Sequence, residues 1–262
     1  MISVTSAQII AWLAAFLLPL ARILALIASS PVLGNKQIPI RIKVSLAMLL
    51  TVIIAPNITM PANIDPASAE GLFVLVQQIL VGLAMGFMMR LIFTAVEMAG
   101  DLAGMQMGLG FASFYDPVNA SYTPVIAQFL GIIATLAFLS MNGHLYMLSA
   151  LADSFQAFPI SASLPSAVAF RTLAEWGATI FSHALQLSMP LIGGLMITNL
   201  ALGILTRSAP QLNIFAVGFP ITLTVGFVTL ALSLPYLAPM LDHFVNEGVD
   251  MMQRLALQMA KH

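Results

Sequence analysis

Residues 72–96, LFVLVQQILVGLAMGFMMRLIFTAV, decide the fold class. The run is apolar for longer than the roughly 20 residues a helix needs to cross hydrocarbon, and Arg90 is its only charge. Five other apolar blocks, at 9–33, 44–55, 125–141, 177–205 and 214–241, also read as helices. The whole chain is 60% hydrophobic and 7% charged, with a mean hydropathy of +0.99. Soluble globular domains carry about a quarter charged residues, so the composition predicts an all-α, integral, membrane-assembled protein. No repeat, low-complexity tract or linker marks a boundary, and residues 1–262 read as one domain.

The helices are expected to be irregular. Block 44–55 is short between Lys43 and Pro56, block 125–141 is marginal, and Pro19, Pro190 and Pro235 fall inside blocks. A proline removes one intrahelical hydrogen bond and kinks or breaks the helix. Broken helices in an apolar medium must be packed on other protein, because lipid cannot satisfy the freed backbone groups. The pattern predicts kinked helices and hairpins in a dense assembly. Lys36, Arg41 and Lys43 cluster at one block end, which places that loop in the cytoplasm and the N-terminus outside. The tail, 242–262, alternates charges with Phe244, Val245, Val249, Met252 and Leu255, the pattern of an amphipathic helix at a surface or on a partner.

Several function classes are excluded. A net charge of -1 with scattered basic residues offers no surface for nucleic acid, and the absence of cysteine removes disulfides, thiolate metal sites and a cysteine nucleophile. The first charge, Arg22, lies inside the first block, so a cleaved signal peptide is not expected. HExxH, GxSxG and P-loop motifs are missing, and the four histidines lack metal-ligand spacing. The chain reads as no enzyme and as needing no cofactor. His144, after an apolar block, fits either a proton relay or a hydrogen-bonded structural residue.

Immediately after the opening run comes GDLAGMQMGLGFASFYDPVNASYTP, residues 100–124. Arg90, Glu97 and Asp101 lie seven and four residues apart, on one stripe of a helix continuing from the third block. Ionisable groups at membrane depth are costly and mark either a functional site or an ion-pair joint that fixes register. Arg22 and Arg207, single in their blocks, fit interfacial or snorkelling arginines. Gly100, Gly104 and Gly108 at i, i+4 and i+8 form a smooth face for close helix approach, and Gly82 with Gly86 repeats it. Beyond Met105, Gln106 and Met107, the glycines Gly108 and Gly110 free the backbone, and Asp116 and Pro117 mark a turn. Phe111, Phe114, Tyr115 and Tyr122 lie in that loop. Rings and thioethers on such a support suit a deformable apolar seal. A permanently packed re-entrant loop and a selectivity element of a small-solute transporter fit the same residues. Arg90, Glu97 and Asp101 would serve the transporter as a midplane site, although the inverted repeats typical of that class are missing.

The same loop, together with LGILTRSAPQLNIFAVGFP (202–220), ARILALIASSPVLGNKQIPIRIKVSLAMLL (21–50) and MNGHLYMLSALADSFQAFPI (141–160), resembles the FliR family of flagellar biosynthetic proteins, export-gate subunits of bacterial type III secretion systems. The likeness runs end to end. Its most specific residues are Arg207, Pro210, Gln211, Asn213, Ile214 and Phe215, of which the resemblance assigns Arg207, Pro210, Gln211, Asn213 and Phe215 to subunit contacts. It implies a helical gate built with FliP- and FliQ-type subunits, through which unfolded flagellar proteins cross the inner membrane at the flagellar basal body. Further partners implied are the FlhB- and FlhA-type membrane subunits, a cytoplasmic ATPase complex and membrane lipid. The segment from Met105 to Tyr122 resembles a plug across that channel.

Overall fold

The computed structural model describes residues 5–59, 65–110, 124–211 and 213–260. Those residues form seven α-helices and one short 3-10 turn, with no strand among them. The helices are α1 (Ser6–Ser29), α2 (Ile40–Ile54), α3 (Ala69–Gln106), α4 (Val125–Ser140), α5 (Gly143–Ala157), α6 (Ala167–Ser208) and α7 (Ile214–Met259). α1 begins with a reciprocal cap. Thr5 Oγ1 accepts from the Gln8 amide and Gln8 Oε1 accepts from the Thr5 amide, which satisfies two of the donors a helix start leaves open.

The expected breaks at proline are not found. Pro19 lies inside α1, Pro190 inside α6, and Pro220, Pro235 and Pro239 inside α7, and all three helices continue past them. Each proline removes one ladder bond only, and the neighbouring bonds hold the turn. The sharp bend lies at a site with no proline, between α4 and α5, which meet at 65°. There Asn142 takes left-handed dihedrals, φ 57° and ψ 23°, a conformation asparagine tolerates better than most residues.

Five helices are long and apolar enough to cross a membrane, and a sixth crossing is reached if α4 and α5 together make one. The second block, short when measured from Lys43, passes because its helix starts at Ile40 and the apolar stretch extends to Asn57. At 1.5 Å per residue, α3, α6 and α7 would be about 57, 63 and 69 Å long if straight, roughly twice a hydrocarbon core of about 30 Å. These helices extend well beyond what one crossing needs.

Contact density divides the chain into two units, residues 1–91, 142–178 and 245–262, and residues 92–141 and 179–244. Three of the four boundaries fall inside the continuous helices α3, α6 and α7, where the sequence gives no sign of them, and the fourth falls at the turn between α4 and α5. In the first unit α1 and α3 approach closely where Gly82 faces the Arg22 backbone and Gly86 faces Leu26 and Ser29. Val74, Val81, Met85, Met88 and Met89 of α3 are buried there, and Trp176 Nε1 donates to the Met88 carbonyl at 3.1 Å. Residues 242–259 of the tail continue α7 and do not form a separate surface helix. Val245, Met252, Leu255 and Met259 are buried within the chain, so its apolar stripe is covered without a partner.

In the second unit, Phe93 and Phe138 meet edge to face, 5.4 Å between centroids at 81°, the arrangement aromatic quadrupoles favour. Gly100 packs on the backbone of α4, and a Cβ there would lie 2.5 Å from Ala127 Cα. An apolar groove of about 330 Å³ lies among Ala99, Leu130, Leu187, Pro190, Leu230 and Leu237.

Candidate functional site

The end of α3 carries most of the residues singled out in the sequence. α3 closes with a Schellman cap: the Leu109 amide donates to Gly104 O and the Gly108 amide to Met105 O, both at 3.0 Å. Gly108 has φ 84°, the left-handed conformation this cap requires and glycine adopts without a Cβ penalty. Gly108 therefore terminates the helix and does not extend the packing face, which corrects the i, i+4, i+8 reading. Gly100 belongs to a close approach. Gly104 does not, since a Cβ there would lie 3.7 Å from Ile126, ordinary contact.

Met105 and Met107, grouped by the sequence, part company. Met105 is 55% exposed and Gln106 is exposed too, while Met107 has no exposed surface. The Met107 carbonyl accepts from Thr222 Oγ1 at 3.3 Å, and its thioether lies against Gly226. Met107 thus takes part in the packing of α3 on α7. Gly110 is half-buried. Phe111, Phe114, Tyr115, Asp116, Pro117 and Tyr122 lie outside the described residues.

Arg90 lies in the first unit, and Glu97 and Asp101 lie in the second. Arg90 and Glu97 are exposed and Asp101 is half-buried. The Glu97 side chain runs beside Gly131 of α4, and Asp101 borders a small recess with Gly104, Leu109, Pro124 and Val125. Both acids therefore sit at the α3–α4 contact. His144 occupies the first turn of α5, half-buried.

In the family-like segment, Arg207 is exposed in the last turn of α6, where a cation complements the helix dipole. Pro210, Gln211 and Asn213 are exposed in the connection that follows. Asn213 caps α7 by accepting from the Ala216 amide at 3.3 Å, and Phe215 lies in the first turn of that helix.

Arg22 is the residue the sequence reading misplaced. Taken for an interfacial or snorkelling arginine, it is 0% exposed. Its Nε donates to Gln78 Oε1 at 2.8 Å, its Nη1 to the carbonyl and hydroxyl of Ser154 at 3.0 and 3.1 Å, and its Nη2 to the Phe158 carbonyl at 3.0 Å. The guanidinium carbon lies 4.3 Å from the Phe155 ring centre, so the charge also gains from the ring face. Every acceptor is neutral. The planar fork ties α1, α3 and α5 together, a geometry that lysine cannot reproduce. The available signal was a set of polar residues inside apolar runs: Arg22, Gln77, Gln78 and Ser154 must find one another once buried. Among the described residues no group of His, Cys, Asp and Glu has metal-binding geometry.

Residues 13–248 match the family described as bacterial export proteins, family 1. Over 261 residues the chain is 45% identical to a flagellar biosynthetic protein FliR from Pectobacterium carotovorum subsp. carotovorum, with 99% of each chain covered. It is 46% identical over 248 residues to the protein of that name from Escherichia coli (strain K12), 94% of each. The protein of that name from Bacillus subtilis (strain 168) is 30% identical over 245 residues, covering 92% of this chain and 94% of the relative.

Proposed function

Because the chain belongs to the bacterial export proteins of family 1, the family of the flagellar FliR proteins, we propose that it is a core, non-enzymatic subunit of the flagellar protein export gate. The observation that carries this reading is the outward face of α6 and α7. Of the most apolar window in each, 11% and 17% is buried within the chain. Ile197 and Tyr236 are each 72% exposed. Helices of such length with so little internal cover suit a subunit whose neighbours supply the remaining contacts, since packing among membrane-associated helices comes from close contact with other helices.

In this reading the chain assembles in the inner membrane at the flagellar basal body with FliP- and FliQ-type subunits and contacts FlhB- and FlhA-type proteins. The connection with Lys36 and the first turn of α2, with Arg41 and Lys43, face the cytoplasm. Unfolded flagellar proteins pass through the assembled channel. The segment from Met105 to Tyr122 closes that channel at rest, with Met105 as its exposed large apolar member among the described residues. An apolar constriction suits this task because it excludes ions by dewetting without demanding any one sequence from the passing chain.

The direct test is replacement of the Escherichia coli relative by this chain, scored by secretion of flagellar proteins into the medium. Restored secretion is expected. A complex that assembles with the replaced subunit yet secretes nothing would refute the export role. Removal of residues 111–115 is expected to leave assembly intact and raise ion conductance; an equally tight membrane would refute the plug assignment.

A further inference from the structure

The end of α3 is fastened to α7 by more than general apolar contact. Met107 donates its amide to the Ala103 carbonyl at 2.9 Å, and Thr222 Oγ1 reaches the Met107 carbonyl at 3.3 Å. The Met107 side chain is wholly buried and lies along α7 at Gly226, one turn beyond Thr222. A Cβ on Gly226 would come within 2.5, 2.8 and 2.9 Å of Met107 Cγ, Cε and Sδ. Three successive atoms of the thioether chain therefore occupy the space that glycine leaves open. A branched side chain at 107 would not follow so narrow a notch, whereas methionine is unbranched and adapts to irregular gaps. Directly after Met107, Gly108 turns the chain out of the helix.

We infer that Met107 is a positioning residue, with Thr222 and Gly226 as its seat, and that this joint stays closed while protein is exported. It fixes the last turn of α3 on α7, and therefore the place from which residues beyond Gly108 start. Met105, two residues earlier and exposed, has no such seat. The inference rests on the export reading only for its transport half.

The chain contains no cysteine, so the double variant Met107→Cys with Gly226→Cys introduces its only thiol pair, and the short approach of the two positions suits a disulfide. Membranes carrying the assembled complex are oxidised, bridge formation is read by gel mobility after cleavage between the two positions, and export is measured before and after. The bridge is expected to form in most chains, with export within about twofold of the reduced sample, because a joint that does not open gains nothing from being locked. Export that stops on oxidation and returns on reduction would overturn the inference. So would failure of the pair to bridge in an assembled complex. A bridged complex that exports nothing in either state would count against the export reading and not against the seat.

A second pair of variants keeps the seat testable if the cysteine pair does not assemble. Gly226→Ala is expected to lower folded chain in the membrane by about tenfold through overlap with the thioether. Adding Met107→Ala to the same chain is expected to restore most of it, since the obstacle is gone. Normal levels for Gly226→Ala alone, or no recovery in the double variant, would refute the seat.

Discussion

The Arg22 cluster and the outward faces of α6 and α7 treat the same apolar chemistry in opposite ways. In the first, a full positive charge is buried inside the chain, with neutral acceptors from Gln78, Ser154 and Phe158 arranged around it. In the second, large apolar side chains such as Met196, Ile197, Leu200 and Tyr236 point away from the protein. Burial in the first region is complete without any partner, because donors and acceptors come from one chain. The second region is incomplete by construction, and what completes it lies outside the chain. A polar cluster therefore marks the part whose contacts the chain supplies itself, and the mainly apolar outward face marks the part that, in the proposed reading, other subunits cover.

The largest effect is expected at Arg22. Arg22→Ala removes a buried side chain and strands the acceptors that faced it, at a cost of about 3–5 kcal/mol. The chain should fall to trace amounts in membranes by immunoblot, and Arg22→Lys should recover only part, because an ammonium cannot present the same fork. Wild-type levels for Arg22→Ala would break the comparison from its self-sufficient side.

A middle-sized effect separates two glycines of one face. Gly100→Ala must push α3 off the α4 backbone, and we expect a loss of about 1–3 kcal/mol, read as a lower temperature of aggregation in detergent. Gly104→Ala meets only ordinary contact at Ile126 and should be neutral within about 1 kcal/mol. Equal losses at both positions would show that the whole stripe, and not Gly100 alone, carries the approach.

The smallest effect on the chain itself is expected at the outward face. Ile197→Ser and Tyr236→Ser touch little inside the protein and should change its own stability by about 0.5 kcal/mol or less. Recovery of the chain with other gate subunits should nonetheless fall, as measured by pull-down from mild detergent. Unchanged recovery would mean that lipid and not protein covers this face.

These contrasts also explain what the sequence made legible. Helix positions were readable because apolar blocks dominate the composition, and the resemblance to a family was readable from residues 202–220 and three other stretches. The continuity of α6 and α7 through Pro190 and Pro235 was not, because one lost hydrogen bond does not break a helix of more than forty residues. Arg22 was misplaced because a lone arginine in an apolar run has the same local sequence whether it snorkels or is buried; only Gln78 and Ser154, 56 and 132 residues away, decide between the two. Gly108 belonged by spacing to a helix face and by backbone geometry to a helix end. Met105 and Met107 share a side chain and differ only in whether Gly226 lies opposite.

The central claim is that the outward face of α6 and α7 is covered by other subunits. Single cysteines at Ile197, Leu200, Leu232 and Tyr236, in a chain with no other thiol, can be labelled with a membrane-permeant maleimide in two settings, the chain expressed alone and the chain expressed with the full set of flagellar export subunits. The account predicts ready labelling in the first setting and protection in the second. Equal labelling of all four positions in both settings, in a complex shown to be assembled, would contradict it.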